Sequence, residues 1–378
     1  LTTLQNGFGV YVHWPFCARI CPYCDFNVHR NRGVDEGRWA GALTRELEYW
    51  AERTPGRKLA SLYFGGGTPS LAPPAVIEAV IGACETLWGF EGDPEITIEA
   101  NPTSAEQGRF AAFRAAGANR LSLGVQSFDD RALNFLGRDH EAHAARRAIE
   151  EALRRFPRVS ADFIYARPGQ SVDQWAEELE AALATGLKHL SLYQLTIEEG
   201  TAFARQVEKG RWTPADEDHA ADLFDLTQDQ TAAAGLPAYE ISNHAAPGER
   251  SRHNLIYWRQ GDYVGAGPGA HARLTVGGTR RAIETEKDPK RYLALVEKNG
   301  AGAILDEALT ADEAFTEKLA MGLRTTEGVA LTAAEWGRLS NPFAQLSAGG
   351  RLARQGERLF ATADGRRLLN AVLAELLS

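Results

Sequence analysis

The sequence predicts an α/β protein: six βα units curved into a partial TIM-type barrel, (βα)6, then an extension and a small winged-helix-like α+β module. Three observations predict it. Short, β-branched apolar runs alternate with amphipathic stretches at roughly 30–40 residue spacing, the rhythm of parallel βαβ units. Cysteine, glycine and polar residues gather at the C-terminal ends of successive runs, as on the active face of a barrel. From about residue 303 the texture changes to short helices with one small strand.

In order, the strand-like runs are 9–16, 59–65, 95–101, 120–128, 159–166 and 189–197. Between them lie amphipathic stretches at 38–53, 74–88, 105–116, 140–155 and 172–185. Glycine follows several of these, as at Gly117 and Gly186, where it supplies a left-handed cap. Six units suit an open sheet as well as a partial barrel, and the placement of the distinctive residues decides for the barrel. Residues 17–24 follow the first strand, 65–69 end the second and Glu99 ends the third. Gln126 and Ser127 end the fourth, Asp162 lies in the fifth, and Tyr193 and Gln194 lie in the sixth. A helix from Thr213 to Ala234, a strand at 238–243 and a glycine-rich region at 261–269 come next. Residues 357–361 read as a small strand or wing, and 366–377 as an apolar-faced helix. The expected division is 1–235 for the barrel, 236–300 for the extension and 301–378 for the small module, read first as a packing domain.

The chain of 378 residues is long enough for one large core and a smaller second domain. Apolar residues at 44% and charged residues at 24% are those of an ordinary soluble globular protein. Acidic residues outnumber basic ones by 50 to 41, a net charge of −9, which argues against a broad phosphate-binding surface and against nucleic acid as a partner. No run of about 18 apolar residues occurs, so any membrane contact is expected to be peripheral. The first residues lack the basic start and apolar stretch of a secretory signal. Of only four cysteines, three fall within eight residues, a reduced, metal-binding pattern rather than a disulfide framework. The expected compartment is the cytoplasm, the periphery of the inner membrane included.

Cys17, Cys21 and Cys24 offer three thiolates on one tight loop. A [4Fe–4S] cluster ordinarily takes four, so three leave one iron open, and an open site is where a metal centre does chemistry. The alternative is a zinc ion completed by His13, Asp25, His29 or Cys84, but zinc sites favour paired clips of two intervening residues. Cys84 falls on the apolar face of 74–88 and reads as a buried, inert thiol. The run Gly65, Gly66, Gly67, Thr68 directly follows a strand, where glycines let the backbone approach a ligand and bare their N–H and C=O groups. Beside the cysteine loop it reads as a cradle for an amino acid's ammonium and carboxylate.

The run from Tyr11 to Cys17, with Cys21, Cys24 and the glycines ahead of Thr68 and Pro69, resembles radical S-adenosylmethionine enzymes. The branch it resembles is that of oxygen-independent coproporphyrinogen III oxidase and its relatives, over residues 9–275. The resemblance implies that S-adenosylmethionine chelates the open iron and is cleaved to a deoxyadenosyl radical, the protein orienting and shielding the cofactor. It also implies contacts to S-adenosylmethionine from Tyr11, Gly66, Gly67, Thr68, Glu99, Gln126, Arg138 and Asp162. Glu99 and Asp162 are carboxylates in apolar strands, where a charge is costly unless partnered, and Arg120 or Arg138 would be structural partners. Where relatives read Gly-Leu before Pro-Gly, this chain has Ala166 and Arg167.

Three features set the chain apart from a working oxidase. The oxidase motif carries a fourth cysteine two positions after the third, where this chain has Phe26. The oxidase has a longer N-terminal extension, whereas ten residues precede Tyr11 here. Finally, His253, Asn254, Tyr257 and Trp258 resemble the H-N-x-x-Y-W signature of HemW-type haem chaperones. That resemblance implies haem as cargo, delivered to respiratory haem proteins without oxidase activity, and is compatible with a homodimer. A neutral imidazole is a good haem ligand and two aromatic rings can face a macrocycle. The alternatives are a packing role for this segment, with coproporphyrinogen oxidation or radical methyl transfer as the function.

Overall fold

The computed structural model describes residues 7–31 and 33–377, without the side chains of residues 104 and 105. Residues 1–6, which bear on the reading of a leader, lie outside the described residues. The barrel strands are β1 (Phe8–Trp14), β2 (Leu59–Gly66), β3 (Phe90–Ala100), β4 (Arg120–Gln126), β5 (Arg158–Tyr165) and β6 (His189–Gln194). They lie side by side in chain order, every neighbouring pair parallel. β1 and β6 do not pair with each other, so the curve stays an open, partial barrel.

The strands alternate because their two faces meet different surroundings. Val10, Val12 and Trp14 of β1 are buried, and Trp14 meets Trp39 of helix Glu36–Ala51 edge-on with ring centroids 5.4 Å apart. Leu62, Phe64, Ile96, Ile98, Leu121 and Leu123 continue this layer, which holds the main core under the helices. The opposite face carries Tyr11, His13, Ser61, Tyr63, Glu99, Ser122 and Asp162. A parallel sheet buried on both faces would read as unbroken apolar runs. The alternation therefore marks a polar barrel interior.

Five further strands extend the sheet to eleven. β7 (Asn243–Ala245) runs antiparallel on β6, and β8 (Asp262–Ala266) runs parallel on β1. β9 (His271–Val276), β10 (Thr279–Thr285) and β11 (Ala303–Ala308) continue from β8 as an antiparallel meander. The glycine-rich region is thus a strand end pressed on β1. Gly267, at φ +99°, lies so close that a Cβ would run into the His13 carbonyl oxygen.

Several boundaries differ from the sequence expectation for local reasons. The stretch 105–116 divides into Ser104–Gln107 and Phe110–Ala115, interrupted at Gly108. Of the expected strand at 238–243, residues 239–242 form a turn between a bridge at Ala238 and the start of β7 at Asn243: the Glu240 carboxylate accepts from the backbone N–H of Ser242 at 3.0 Å and the side-chain amide of Asn243. Helices Asp130–Phe135 and Ala202–Glu208 are too short to leave a period in the sequence.

The small module has its own core of Phe315, Leu319, Trp336, Leu339, Leu359 and Val372. It is built from helices Ala311–Gly322 and Ala333–Ala348 and strands β12 (Val329–Ala330), β13 (Leu352–Gln355) and β14 (Arg358–Ala361), paired in the order β12-β14-β13. Capping boxes at Thr310 with Glu313 and Thr332 with Glu335 start the two helices. The last helical segment breaks at Leu368 into Ala363–Arg367 and Leu369–Leu376.

Candidate functional site

The cysteine loop leaves the top of β1 and is fastened at several points. Phe16–Cys17 pairs in parallel with His29–Arg30, which closes the loop on itself. The N–H of Gly67 donates to the Trp14 carbonyl at 2.7 Å and that of Thr68 to the Phe16 carbonyl at 3.0 Å, so the glycine run is bonded to the base of the cysteine loop. Asn27 donates to the carbonyls of Pro268 and Lys287, both at 2.9 Å, tying the loop to the β8 side. On the far side Tyr23 joins an apolar cluster with Leu136, Ile164 and Phe203.

Cys17, Cys21 and Cys24 line one cavity of about 1010 Å3. The Thr68 hydroxyl donates to Cys17 Sγ at 3.4 Å and Arg138 Nη1 to Cys21 Sγ at 3.4 Å. Burial pushes the Cys17 thiol up and the Cys24 thiol up to about 11. Among the described residues no group of three His, Cys, Asp or Glu side chains is arranged to hold one metal ion. A zinc ion needs its ligands converging at about 2.3 Å, whereas a cluster takes its thiolates on different irons. Three thiols on one loop, two already bonded to donors and all facing the cavity, fit a polynuclear centre.

The structure brings Gly66, Gly67, Thr68, Glu99, Gln126, Arg138 and Asp162 to the same cavity. Gly66 has φ +106°, and a Cβ there would meet the His13 ring at 2.6 Å. A Cβ at Gly67 would meet the Pro15 carbonyl carbon at 2.8 Å. Any side chain is excluded at both, which leaves bare backbone toward the cavity. Arg138 spans the strand ends: Nη2 donates to the Gly124 carbonyl at 2.9 Å and to Asn101 Oδ1, while Nη1 reaches Cys21.

Tyr63 OH donates to Glu99 Oε1 at 2.7 Å and Ser122 Oγ to Asp162 Oδ1 at 3.4 Å. Burial pushes the Glu99 carboxyl up to about 7, and nearby Asp162 adds to the shift against the Tyr63 hydrogen bond. Burial likewise pushes Asp162 up to about 6. The two carboxyls also line a polar void of about 50 Å3 deeper in the barrel, where Arg120, His189 and Asn254 meet them. Tyr11 does not reach the cavity wall; its hydroxyl bonds His13 Nδ1 at 3.0 Å.

Backbone strain marks two loops at this end. Gln126 has φ +67° beside an irregularity in the β4–β5 register, and Ala166 has φ +56°. Left-handed backbone at a side-chain-bearing residue costs roughly 1–2 kcal/mol and collects at functional sites. The second case suits the Gly-Leu pattern that the sequence resemblance leads one to expect here, because glycine adopts this conformation freely. Arg167 is buried, pairing with Glu178 and Ser127 Oγ, and Glu178 accepts from the Phe128 N–H at 2.7 Å.

The segment from His253 to Trp258 lies elsewhere. It forms helix Arg252–Trp258, capped by Ser251, across the N-terminal ends of the barrel strands. His253 is 1% exposed and is not on the cavity. Its Nδ1 bonds Ser61 Oγ at 2.8 Å, its Nε2 bonds Tyr257 OH, and its ring stacks on Tyr63 at 4.8 Å. Burial pushes the imidazole down to about 3. Glu95 accepts from the His253 N–H at 3.0 Å; although burial opposes it, the guanidiniums of Arg120 and Arg158 hold its carboxyl below the usual range. Tyr257 packs on Tyr263 at 4.3 Å, and the Arg324 guanidinium lies 5.0 Å from the Trp258 ring. In this conformation the segment plugs the barrel floor, and the imidazole is not presented to the cavity.

The far wall of the cavity carries Tyr193 and Gln194 of β6, as the sequence placed them; sequence reasoning missed Arg324, Arg366 and Arg367 of the small module, which complete that wall. An arginine doublet late in an acidic chain was the only available signal for the last two.

Residues 11–182 match the model of the Radical SAM superfamily. The chain is 43% identical over 326 residues to the mitochondrial radical S-adenosyl methionine domain-containing protein 1 of Mus musculus, covering 85% of this chain and 74% of the relative. It is 39% identical over 379 residues to the heme chaperone HemW of Mycobacterium tuberculosis, covering 98% of this chain and 95% of the relative. Among solved structures, coproporphyrinogen III oxidase (HemN) from Escherichia coli superimposes with a TM-score of 0.82 at 22% identity, covering 99% of this chain and 91% of that one, a likeness of fold. With these likenesses and a cysteine loop bonded to its glycine cradle, the chain belongs to the radical SAM superfamily, in the coproporphyrinogen III oxidase-like branch that includes the HemW haem chaperones.

Proposed function

We propose that this protein is a radical-SAM-type haem chaperone that delivers haem to respiratory haem proteins. The observation that carries this reading is 39% identity to a HemW haem chaperone across 98% of the chain. The family implies a [4Fe–4S] cluster and S-adenosylmethionine. When bound, they supply an electron source and an open iron for the amino-acid end of the nucleoside.

In this reading Cys17, Cys21 and Cys24 hold the cluster. Thr68 and Arg138, already bonded to two of the sulfurs, would stabilise thiolate charge. Gly66 and Gly67 would offer backbone to the amino-acid moiety, with Gln126, Glu99 and Asp162 around it. A cationic ligand beside Glu99 would draw its carboxyl from about 7 back to the ionised form. Ligand pockets commonly enclose about 300–1,000 Å3. The cavity of about 1010 Å3 is at the top of that range, which supports room for a large cargo beside the nucleoside.

Phe26, exposed where the oxidase motif has its fourth cysteine, supports a role without oxidase activity. Delivery is proposed in the cytoplasm or at the membrane periphery; among the described residues no helix is long and apolar enough to cross a membrane. The test is titration of cluster-loaded protein with haem, followed by mixing with an apo haem protein. One haem per chain that moves to the acceptor is expected, and no saturable binding would refute the reading.

A further inference from the structure

The lining of the cavity combines two chemistries, exposed apolar side chains and guanidiniums. Eight large apolar side chains are exposed among the described residues, and four of them, Ile20, Phe26, Tyr193 and Leu368, line this one cavity. Ile20 and Phe26 come from the cysteine loop, Tyr193 from β6 and Leu368 from the small module. Exposed apolar groups collected in one place mark a ligand or partner surface.

The carboxylates of the cavity all come from the barrel part of the chain. The small module contributes Arg324, Arg366 and Arg367 and no acid. Their pairing is incomplete. Arg367 pairs with Asp225 at 3.0 Å. Arg324 stands 4.0 Å from Glu240, and its buried Nε has no hydrogen-bond partner. Arg366 is half-buried with neither a salt-bridge nor a hydrogen-bond partner for its guanidinium among the described residues, and burial holds its pKa below the ordinary value. A half-buried guanidinium left unpaired in a chain of net charge −9 favours an incoming anion.

We propose that Arg366, with Arg324 on the same cavity, is the carboxylate-binding rim for the cargo: a flat, apolar macrocycle lies against Ile20, Phe26 and Leu368 while its propionates meet the small module. This rests on the haem reading and assigns the C-terminal module a part in holding the ligand. It also gives Trp258 a function without iron ligation, because its ring lies under Arg324 and positions that guanidinium. An apolar body with two carboxylates matches both wall chemistries at once, whereas a nucleotide phosphate would leave the apolar wall uncovered.

The test is titration of cluster-loaded wild type, Arg366→Ala and Arg324→Gln with haem and with haem dimethyl ester, which lacks the free carboxylates. Iron content and thermal midpoint establish that each variant is folded. Arg366→Ala is expected to weaken haem about tenfold and leave the ester unchanged, so that the wild-type preference for free haem disappears. Arg324→Gln is expected to act in the same direction, and S-adenosylmethionine affinity to stay unchanged in both. Equal losses for haem and ester, or no loss of haem, would overturn the rim while the haem reading stands. Wild type that binds neither would overturn both.

Discussion

Replacing His253 with alanine separates a floor plug from a haem ligand. The imidazole is 1% exposed and bonds Ser61 Oγ at 2.8 Å and Tyr257 OH. Its removal leaves the fully buried Ser61 hydroxyl without a partner, at about 1–3 kcal/mol. The stack on Tyr63 contributes about 1 kcal/mol more, and a void adds to both. Together they amount to about 3–5 kcal/mol, a large share of a domain's stability. To reach iron from this position the ring would have to leave both hydrogen bonds and pass Tyr63. Urea unfolding read by tryptophan fluorescence should therefore show a strong loss in His253→Ala. His253→Phe, which keeps the stack, should lose roughly half as much. Haem titration of the folded fraction should give wild-type affinity. A variant of wild-type stability that has lost haem would refute this reasoning and make the imidazole an iron ligand.

Cys21→Ser, reconstituted anaerobically, should lose the cluster's iron, expected at about four per chain in wild type; iron retained at that level would break the ligand assignment. Ala166→Gly should raise stability by about 1 kcal/mol because φ +56° suits glycine, and a lower urea midpoint would contradict the strain. Glu46, which accepts from the N–H groups of Gly267 at 3.0 Å and Gly302 at 2.7 Å, has its carboxyl pushed by burial from 4.5 up to about 7. A raised folded pKa means stability fully present below pH 4.5 and lost as pH rises through 7, by roughly 3 kcal/mol at most. Glu46→Gln should be less stable at pH 5 yet lose that pH dependence; urea midpoints at pH 5 and 8 compare the slopes, and an unchanged slope would exclude Glu46 as its source.

The six barrel strands were legible because each alternates between an apolar outer face and a polar inner one, so the inner residues announced the site along with the fold. Glu99 and Asp162 stood out as acids in apolar strands, and the glycines as bare backbone after β2. What stayed hidden was non-local or geometric. β8 joins β1 from a position more than 200 residues later, through close contact at Gly267 rather than through an apolar pattern. His253, Tyr257 and Trp258 offer haem-suitable chemistry as types, and only the folded chain gives their ring nitrogens and faces other partners. The departure at Ala166 became intelligible once its φ was known. Arg366 carries no periodic signal, and it stands out only in the fold, where no carboxylate among the described residues pairs with it.

The most direct measurement of the central claim is anaerobic incubation of cluster-loaded protein with reductant, S-adenosylmethionine and coproporphyrinogen III, read by mass spectrometry, with haem binding measured on the same preparation. A haem-carrying protein predicts unchanged coproporphyrinogen III and saturable haem binding. Loss of two carboxyl groups from coproporphyrinogen III would contradict the account and make this chain an oxidase.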